Sequence, residues 1–184
     1  MLKFKAVLQR FVTRRCCHVS ANVGRVRRQQ MIKEVNEECQ KIVQDGHYLL
    51  YHRGKPFLTG KKLDNTPKLV TFQRALDLVP DLQQEAVFLK LMSDDTPLFA
   101  AMLPKESRTE DIEAQLGGKF TDMRAALFLV RSHWQGLMSG GSSLLRWLKA
   151  AKFCWSCKSP LERNASGCQL KCTNAECKAV FYPP

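Results

Sequence analysis

Two pairs of cysteines near the C-terminus constrain this chain more than any other feature. Two residues separate Cys154 from Cys157, and four separate Cys172 from Cys177. Zinc takes four thiolates in a tetrahedron with Zn–S distances of about 2.3 Å. Ligands this close on tight loops can converge on one ion, and the fourteen residues between the pairs suffice for two short strands. The spacing predicts a structural zinc ribbon over residues 153–184, with these four cysteines as ligands and no open position for catalysis.

A fifth cysteine in the same region is disfavoured as a ligand. Cys168 precedes Cys172 by four residues, about 13 Å along an extended strand, so one ion cannot readily bind both. We therefore expect Cys168 to be a small apolar packing residue. Two disulfides or free thiols are the alternative for the four-cysteine set, and a reducing compartment argues against the disulfides.

Positive charge is concentrated at the N-terminus. The formal net charge is +12 over 184 residues, and nine of the 29 basic side chains but no acidic one fall in residues 1–33. An Arg-rich, acid-free N-terminus with an amphipathic helix over residues 1–13 is typical of a mitochondrial transit peptide. The alternative is a solvated basic arm that contacts RNA or lipid. Cys16 and Cys17 are expected to have no chemical role.

The charge composition of the rest of the chain does not predict a strongly charged partner such as nucleic acid. It holds 20 basic and 17 acidic side chains, a net charge of +3, with no dense basic stripe. Apolar runs fall well short of the roughly 20 residues that a membrane-spanning helix needs. We therefore expect no membrane partner, weak or no binding of RNA, and a location in the mitochondrial matrix.

Local patterns predict an α+β fold, with a mixed domain over residues 34–138. Strand-like segments occur at residues 48–52, 57–59, 86–92 and 97–103, the last two joined by a hairpin loop at 93–96. Helical spacing occurs at residues 34–44, 110–116 and 120–130. A capping box at Ser107 and Glu110 and a stop at Gly117 and Gly118 delimit the second helix, and residues 64–67 predict a break between elements.

The sequence Ser-Gly-Gly-Ser-Ser at residues 139–143 predicts a linker. A helix over residues 144–152 would follow it, with Ser142 or Ser143 as its cap. The predicted organisation is therefore a transit peptide over residues 1–33, the α+β domain over 34–138, a linker and helix over 139–152, and the ribbon.

Several short motifs lie in and just before the ribbon: Leu144-Leu145-Arg146-Trp147, Phe153-Cys154 with Cys157, Cys172, and Phe181-Tyr182-Pro183. Together they resemble the NADH pyrophosphatase branch of the Nudix hydrolases. The resemblance covers roughly residue 48 to the C-terminus and is specific only near the ribbon; Leu148 and Lys158 depart from the usual histidine and glycine. It implies an N-terminal α+β domain that supports a homodimer, then a zinc ribbon, then a catalytic Nudix domain.

The sequence lacks a complete Nudix box, the motif whose glutamates hold Mg²⁺ or Mn²⁺ against the substrate diphosphate. Glu37 and Glu38 imitate its helical core, but Lys33 replaces the arginine and Gln40 replaces the glycine. The resemblance thus implies a non-catalytic front portion, whether a fragment, a short isoform or an incomplete gene model. The intact relative would cleave NADH to a nicotinamide mononucleotide and AMP, and relatives can remove NAD caps from RNA.

A standalone zinc-ribbon module that binds RNA or a protein partner is the competing interpretation. Arg163, the lysines near the ribbon and Trp155 between two ligands favour it. The scarcity of interleaved basic and aromatic residues elsewhere disfavours it.

Overall fold

The computed structural model describes residues 23–61 and 64–183. The helix predicted over residues 1–13 of the transit peptide lies outside them, as do Cys16 and Cys17. Residues 23–33, which were also assigned to the transit peptide, are part of a helix with Ile32 buried in the core. In chain order the elements are α1 (23–34), α2 (Asn36–Ile42), β1 (His47–His52), β2 (Lys55–Lys61), β3 (Asp64–Pro67), β4 (Leu69–Thr71), α3 (Phe72–Leu78), α4 (Leu82–Glu85), β5 (Val87–Leu91), β6 (Pro97–Met102), α5 (Thr109–Leu116), β7 (Lys119–Phe120), α6 (Met123–Leu129), α7 (Ser132–Ala150), β8 (Leu161–Arg163), β9 (Leu170–Cys172) and β10 (Val180–Phe181).

Seven strands form a mixed sheet, which confirms the predicted α+β class. The main order is β3-β2-β1-β6-β5, with β4 paired to β1 and β7 paired to β2. Strands β1 and β6 run parallel, with Tyr48 opposite Phe99, and β5 pairs antiparallel with β6 through the predicted hairpin. The last three strands form a separate antiparallel sheet, β10-β9-β8.

The central strands β1 and β6 are buried on both faces, because helices cover the large sheet from two sides. Tyr48 and Leu50 point into a core with residues of α1 to α5, whereas Leu49 and Tyr51 point into a core with α7. Strands covered on both faces read as continuous apolar runs rather than as an alternating pattern. In the described part of the chain, none of the helices is long and apolar enough to cross a bilayer.

The predicted linker is wrong, because residues 139–143 lie in the middle of α7. Helix α7 crosses the sheet so closely that a methyl group added at Gly141 would lie 2.9 Å from Tyr51 Oη and 3.1 Å from Ala100 Cβ. The Tyr51 hydroxyl donates a hydrogen bond of 2.9 Å to the Met138 carbonyl. Ser139 Oγ donates back to the Gln135 carbonyl at 2.9 Å, a local bond that serine makes inside helices. The small residues allow close packing of α7 against the sheet.

Three further expectations are corrected by the structure. Residues 64–67, predicted as a break, form β3 against β2. No capping box opens α5, because its N-cap residue is Arg108, which makes no side-chain cap bond. Gly117 does end the helix as predicted, and it does so in the left-handed conformation. The helix predicted from residue 120 begins at Met123, because the Asp122 carboxylate accepts hydrogen bonds from the Arg124 and Ala125 amides and so caps it there.

Two adjacent glycines test the helical assignment of residues 139–143. Gly140→Ala should raise the free energy of unfolding by about 1 kcal/mol, because alanine is favoured over glycine inside a helix by about that amount and nothing lies within 4 Å of the new methyl group. Gly141→Ala should lower it by about 1 kcal/mol or more, since overpacking outweighs propensity there. Urea denaturation of both variants measures the difference. A flexible linker would leave both values unchanged.

Candidate metal centre

Two tight loops hold the cysteines at one end of the small sheet. The first loop follows α7, and the Lys158 amide closes it by donating to the Cys154 carbonyl at 2.9 Å. The second loop joins β9 to β10, and the Cys177 amide closes it by donating to the Asn174 carbonyl at 3.1 Å. Each loop ends in a lysine with positive φ, 64° at Lys158 and 50° at Lys178. The two loops therefore turn in similar ways and face each other.

The four sulfur atoms lie together as a tetrahedral ion would require. All four Sγ atoms are within 4.8 Å of one another. Cys154 Sγ lies 3.7 Å from Cys177 Sγ, and Cys157 Sγ lies 3.3 Å from Cys172 Sγ. Zn–S bonds of about 2.3 Å in a tetrahedron place sulfurs about 3.8 Å apart. Within residues 23–61 and 64–183, this is the one group of three or more potential metal-binding side chains.

The thiols occupy different electrostatic surroundings within the cluster. Hydrogen bonds from the side chain and backbone of Ser159 lower the pKa of Cys157 to about 6. Desolvation raises the pKa of Cys172 to about 12. Four thiolates at these separations would repel one another strongly without a counterion. A divalent cation between them removes that repulsion, so the donor set fits zinc.

Cys168 lies outside the cluster, in agreement with its predicted packing role. It is 8% exposed, and its Sγ donates to the Phe88 carbonyl of β5 at 3.3 Å. Cys39 is fully buried in the core on the α1 side of the sheet, where burial raises the pKa of its thiol to about 12. Both cysteines are therefore packing residues of the protein interior and do not belong to the metal centre.

The loop between β8 and β9, which we call the inner loop (residues 164–169), attaches the small sheet to the large one. Phe88 of β5 donates its amide to the Ser166 carbonyl at 2.8 Å, so the inner loop covers the edge of the large sheet. Ser166 is fully buried, and its hydroxyl donates to the Lys33 carbonyl at 2.8 Å. Carbonyls in the last turn of a helix lack intrahelical partners. The inner loop therefore satisfies the end of α1 and protects a strand edge at the same time.

Other side chains and amides of the inner loop, and Arg163 of β8 next to it, also form hydrogen bonds with distant elements. Asn164 Nδ2 donates to the same Lys33 carbonyl, and the Ala165 amide donates to Asn36 Oδ1 at 2.8 Å. The Arg163 guanidinium donates to the Gln84 carbonyl at the end of α4 and to the Ala86 carbonyl. Arg163 is thus occupied by the protein itself, which removes one of the residues that favoured an RNA-binding module. Sequence reasoning missed this role, because carbonyl acceptors on distant elements leave no local pattern.

The glutamates that imitate a Nudix box lie on the surface of α2. Glu37 is exposed, and Glu38 is paired with Lys41 one turn later at 2.5 Å. Neither belongs to a potential metal-binding group within the described residues.

Comparison with known proteins finds similar proteins with related names, although no family model matches the chain. The chain is 29% identical over 170 residues to "NAD(P)H pyrophosphatase NUDT13, mitochondrial" from both mouse and human, covering 83% of this chain and 47% of each relative. It is 26% identical over 122 residues to "NAD-capped RNA hydrolase ndx-9" from Caenorhabditis elegans, covering 66% of this chain and 30% of that protein. The chain spans about half the length of the NUDT13 proteins. These matches and the four-cysteine cluster relate the chain to the N-terminal region of the NADH pyrophosphatase family of Nudix proteins.

Proposed function

We propose that this chain is the non-catalytic α+β domain and zinc ribbon of a mitochondrial NAD(P)H diphosphatase-like Nudix protein. In this proposal residues 34–138, together with α1 and the whole of α7 that pack on their sheet, form the α+β domain, and residues 153–184 form the ribbon. Cys154, Cys157, Cys172 and Cys177 hold one structural zinc ion. The chain's contribution is to fold, to fix the ribbon against the large sheet and to support assembly as a homodimer.

The convergence of the four sulfur atoms is the observation that carries the proposal. Four thiolates complete a tetrahedron, so the ion offers no position for water or a phosphate oxygen. Such a centre carries a net charge of −2, and Lys152, Lys158, Lys171 and Lys178 lie close to the ligands in sequence. These lysines offset the charge of the centre rather than bind a substrate.

The surface position of Glu37 and Glu38 supports a non-catalytic role. Phosphoryl chemistry in Nudix proteins uses several glutamates to hold Mg²⁺ or Mn²⁺. Here Lys41 competes for the Glu38 carboxylate, and Lys33 and Gln40 replace the arginine and glycine of the motif. In the intact protein, hydrolysis of NAD(P)H or of a related dinucleotide would fall to a Nudix domain with its own Mg²⁺ or Mn²⁺.

A mitochondrial location is part of the proposal. It is supported by the acid-free N-terminus and by the name of the NUDT13 relatives. Import of a reporter fused to residues 1–40 into isolated mitochondria, with shortening by processing, tests it. A reporter that stays outside at full length would contradict it.

One observation favours the alternative of an RNA-binding ribbon. Trp155 is 64% exposed between two cysteines of the cluster, and its ring packs edge-on against Phe181 with 4.8 Å between centroids. Exposed aromatic rings can stack on unpaired bases. Binding of single-stranded RNA that Trp155→Ala abolishes would favour this function over the structural one.

Zinc content distinguishes the four proposed ligands from Cys168, the buried cysteine near them in sequence. The purified chain should contain one zinc ion per molecule. Cys154→Ser or Cys177→Ser should lose it, because a structural zinc site needs its full set of thiolate ligands to bind the metal and fold. Cys168→Ser is the matched control and should retain the zinc. Elemental analysis after gel filtration measures the content. Equal loss from Cys168→Ser would show that the ligand set is wrong.

The catalytic prediction concerns the chain alone. With Mg²⁺ or Mn²⁺ present, it should release no AMP from NADH beyond a control without protein, measured by chromatography. The comparison variant is Glu37→Gln/Glu38→Gln, which should behave identically. Turnover by the wild type that disappears in this variant would contradict the non-catalytic assignment.

A further inference from the structure

Helix α1 belongs to the basic N-terminal region of the sequence, yet it is built into the edge of the large sheet. Ile32 is 2% exposed and packs in the same core as Leu91 of β5. The side chain of Gln29, one turn before Ile32, accepts a hydrogen bond of 3.0 Å from the Leu91 amide through its Oε1 atom. Because β5 is the last strand of the sheet order, its outward amides have no neighbouring strand as a partner. Gln29 therefore supplies an acceptor that the sheet itself lacks.

The hairpin loop between β5 and β6 binds basic side chains near the start of α1. The Arg25 guanidinium donates to the Ser93 carbonyl at 2.9 Å, and its Nε atom lies 3.3 Å from Asp95 Oδ1. Arg28 Nη1 lies 3.8 Å from Asp95 Oδ2. These side chains are about half exposed, so the ion pairs stabilise the fold only weakly. Two of the N-terminal arginines nevertheless have their partners within the folded protein.

The last turn of α1 is bonded to the inner loop. The Lys33 carbonyl accepts hydrogen bonds from Ser166 Oγ at 2.8 Å and from Asn164 Nδ2. Ser166 is fully buried, and Asn164 is 6% exposed. Without α1, both side chains and the Leu91 amide would lose an acceptor, and a buried polar group left unpaired lowers stability by more than its hydrogen bond contributed. A mature protein that lacked α1 would therefore have a damaged core and a partly uncovered sheet edge.

We infer that the nine basic residues before Glu34 have two different fates. Those in residues 1–22 direct import and are removed, whereas α1 is retained in the mature protein and covers the sheet edge. A processing protease hydrolyses one peptide bond before Val23, which gives the mature chain a new amino terminus and the released peptide a free carboxylate. The inference rests on the mitochondrial location in the proposed function, and it shortens the transit peptide predicted over residues 1–33.

The charge that lies before Val23 still fits a targeting signal. Residues 1–22 contain no acidic side chain and five basic ones, which are Lys3, Lys5, Arg10, Arg14 and Arg15. A segment that is basic, contains several arginines and lacks acidic residues is typical of a mitochondrial transit peptide. Import therefore does not require the four basic residues of α1, which are Arg25, Arg27, Arg28 and Lys33.

Import of the full chain into isolated mitochondria tests the two fates, with mass spectrometry of the new amino terminus. The chain should be cut once, and the mature protein should begin at Val23 or at an earlier residue. Arg14→Gln/Arg15→Gln should lower the imported amount severalfold, because it removes targeting charge, whereas the matched Arg27→Gln/Arg28→Gln should be imported as the wild type is. A cut inside α1, an imported but uncut chain, or equal loss of import from the two variants would overturn the inference. Absence of import for the wild type would instead contradict the mitochondrial location and, with it, the targeting role of residues 1–22.

Two measurements on purified protein test the retained helix without import. A chain that begins at Val23 should keep the melting temperature of the full chain, because α1 and its contacts are intact. Gln29→Ala should speed hydrogen exchange at the Leu91 amide, which loses its acceptor. Gln30→Ala is the matched control and should leave this amide protected, since Gln30 is exposed and bonds to Glu34 on the same helix. A lower melting temperature of the shortened chain, or equal effects of the two glutamine variants on Leu91, would overturn the structural role of α1.

Discussion

The edge of the large sheet determines how the two parts of this chain are joined. Strand β5 is the last strand of the sheet order, and an uncovered edge presents unpaired amides and carbonyls. The inner loop covers it: the Phe88 amide donates to the Ser166 carbonyl, and the Phe88 carbonyl accepts from Cys168. The same loop satisfies the end of α1 through Lys33. A loop within the ribbon thus completes the large sheet.

The ribbon depends on two anchors because it has little interior of its own. Its strands are three, three and two residues long, too short to be stable alone. The inner loop supplies buried contacts at one end, and the four cysteines converge at the other. The proposed zinc ion, bound between the thiolates, would hold the second end of the small sheet. The four-cysteine cluster and the inner loop therefore lie at opposite ends of one short segment.

Local chemistry could be predicted from the sequence, whereas contacts between distant elements could not. The short spacing within each of the pairs Cys154/Cys157 and Cys172/Cys177 lets the four sulfur atoms converge, so the cluster could be predicted from the sequence alone. The continuous apolar runs of β1 and β6 likewise predict that these strands are buried. The glycines at residues 140 and 141 favoured a linker, because composition alone cannot show that Tyr51 and Ala100 lie opposite Gly141. Arg163 was counted in favour of a binding module for the same reason: the carbonyls that accept its hydrogen bonds lie almost 80 residues earlier in the chain.

Hydrogen exchange with and without a zinc chelator most directly tests the claim that the ribbon has one metal-held end and one end built into the sheet. Removing the ion should speed exchange at the amides of Lys158 and Cys177 in the two metal-binding loops. The amide of Phe88 should stay protected, because its hydrogen bond to the Ser166 carbonyl does not involve the cluster. Loss of protection at Phe88 together with the metal-binding loops, or no change at any of these amides, would contradict the claim.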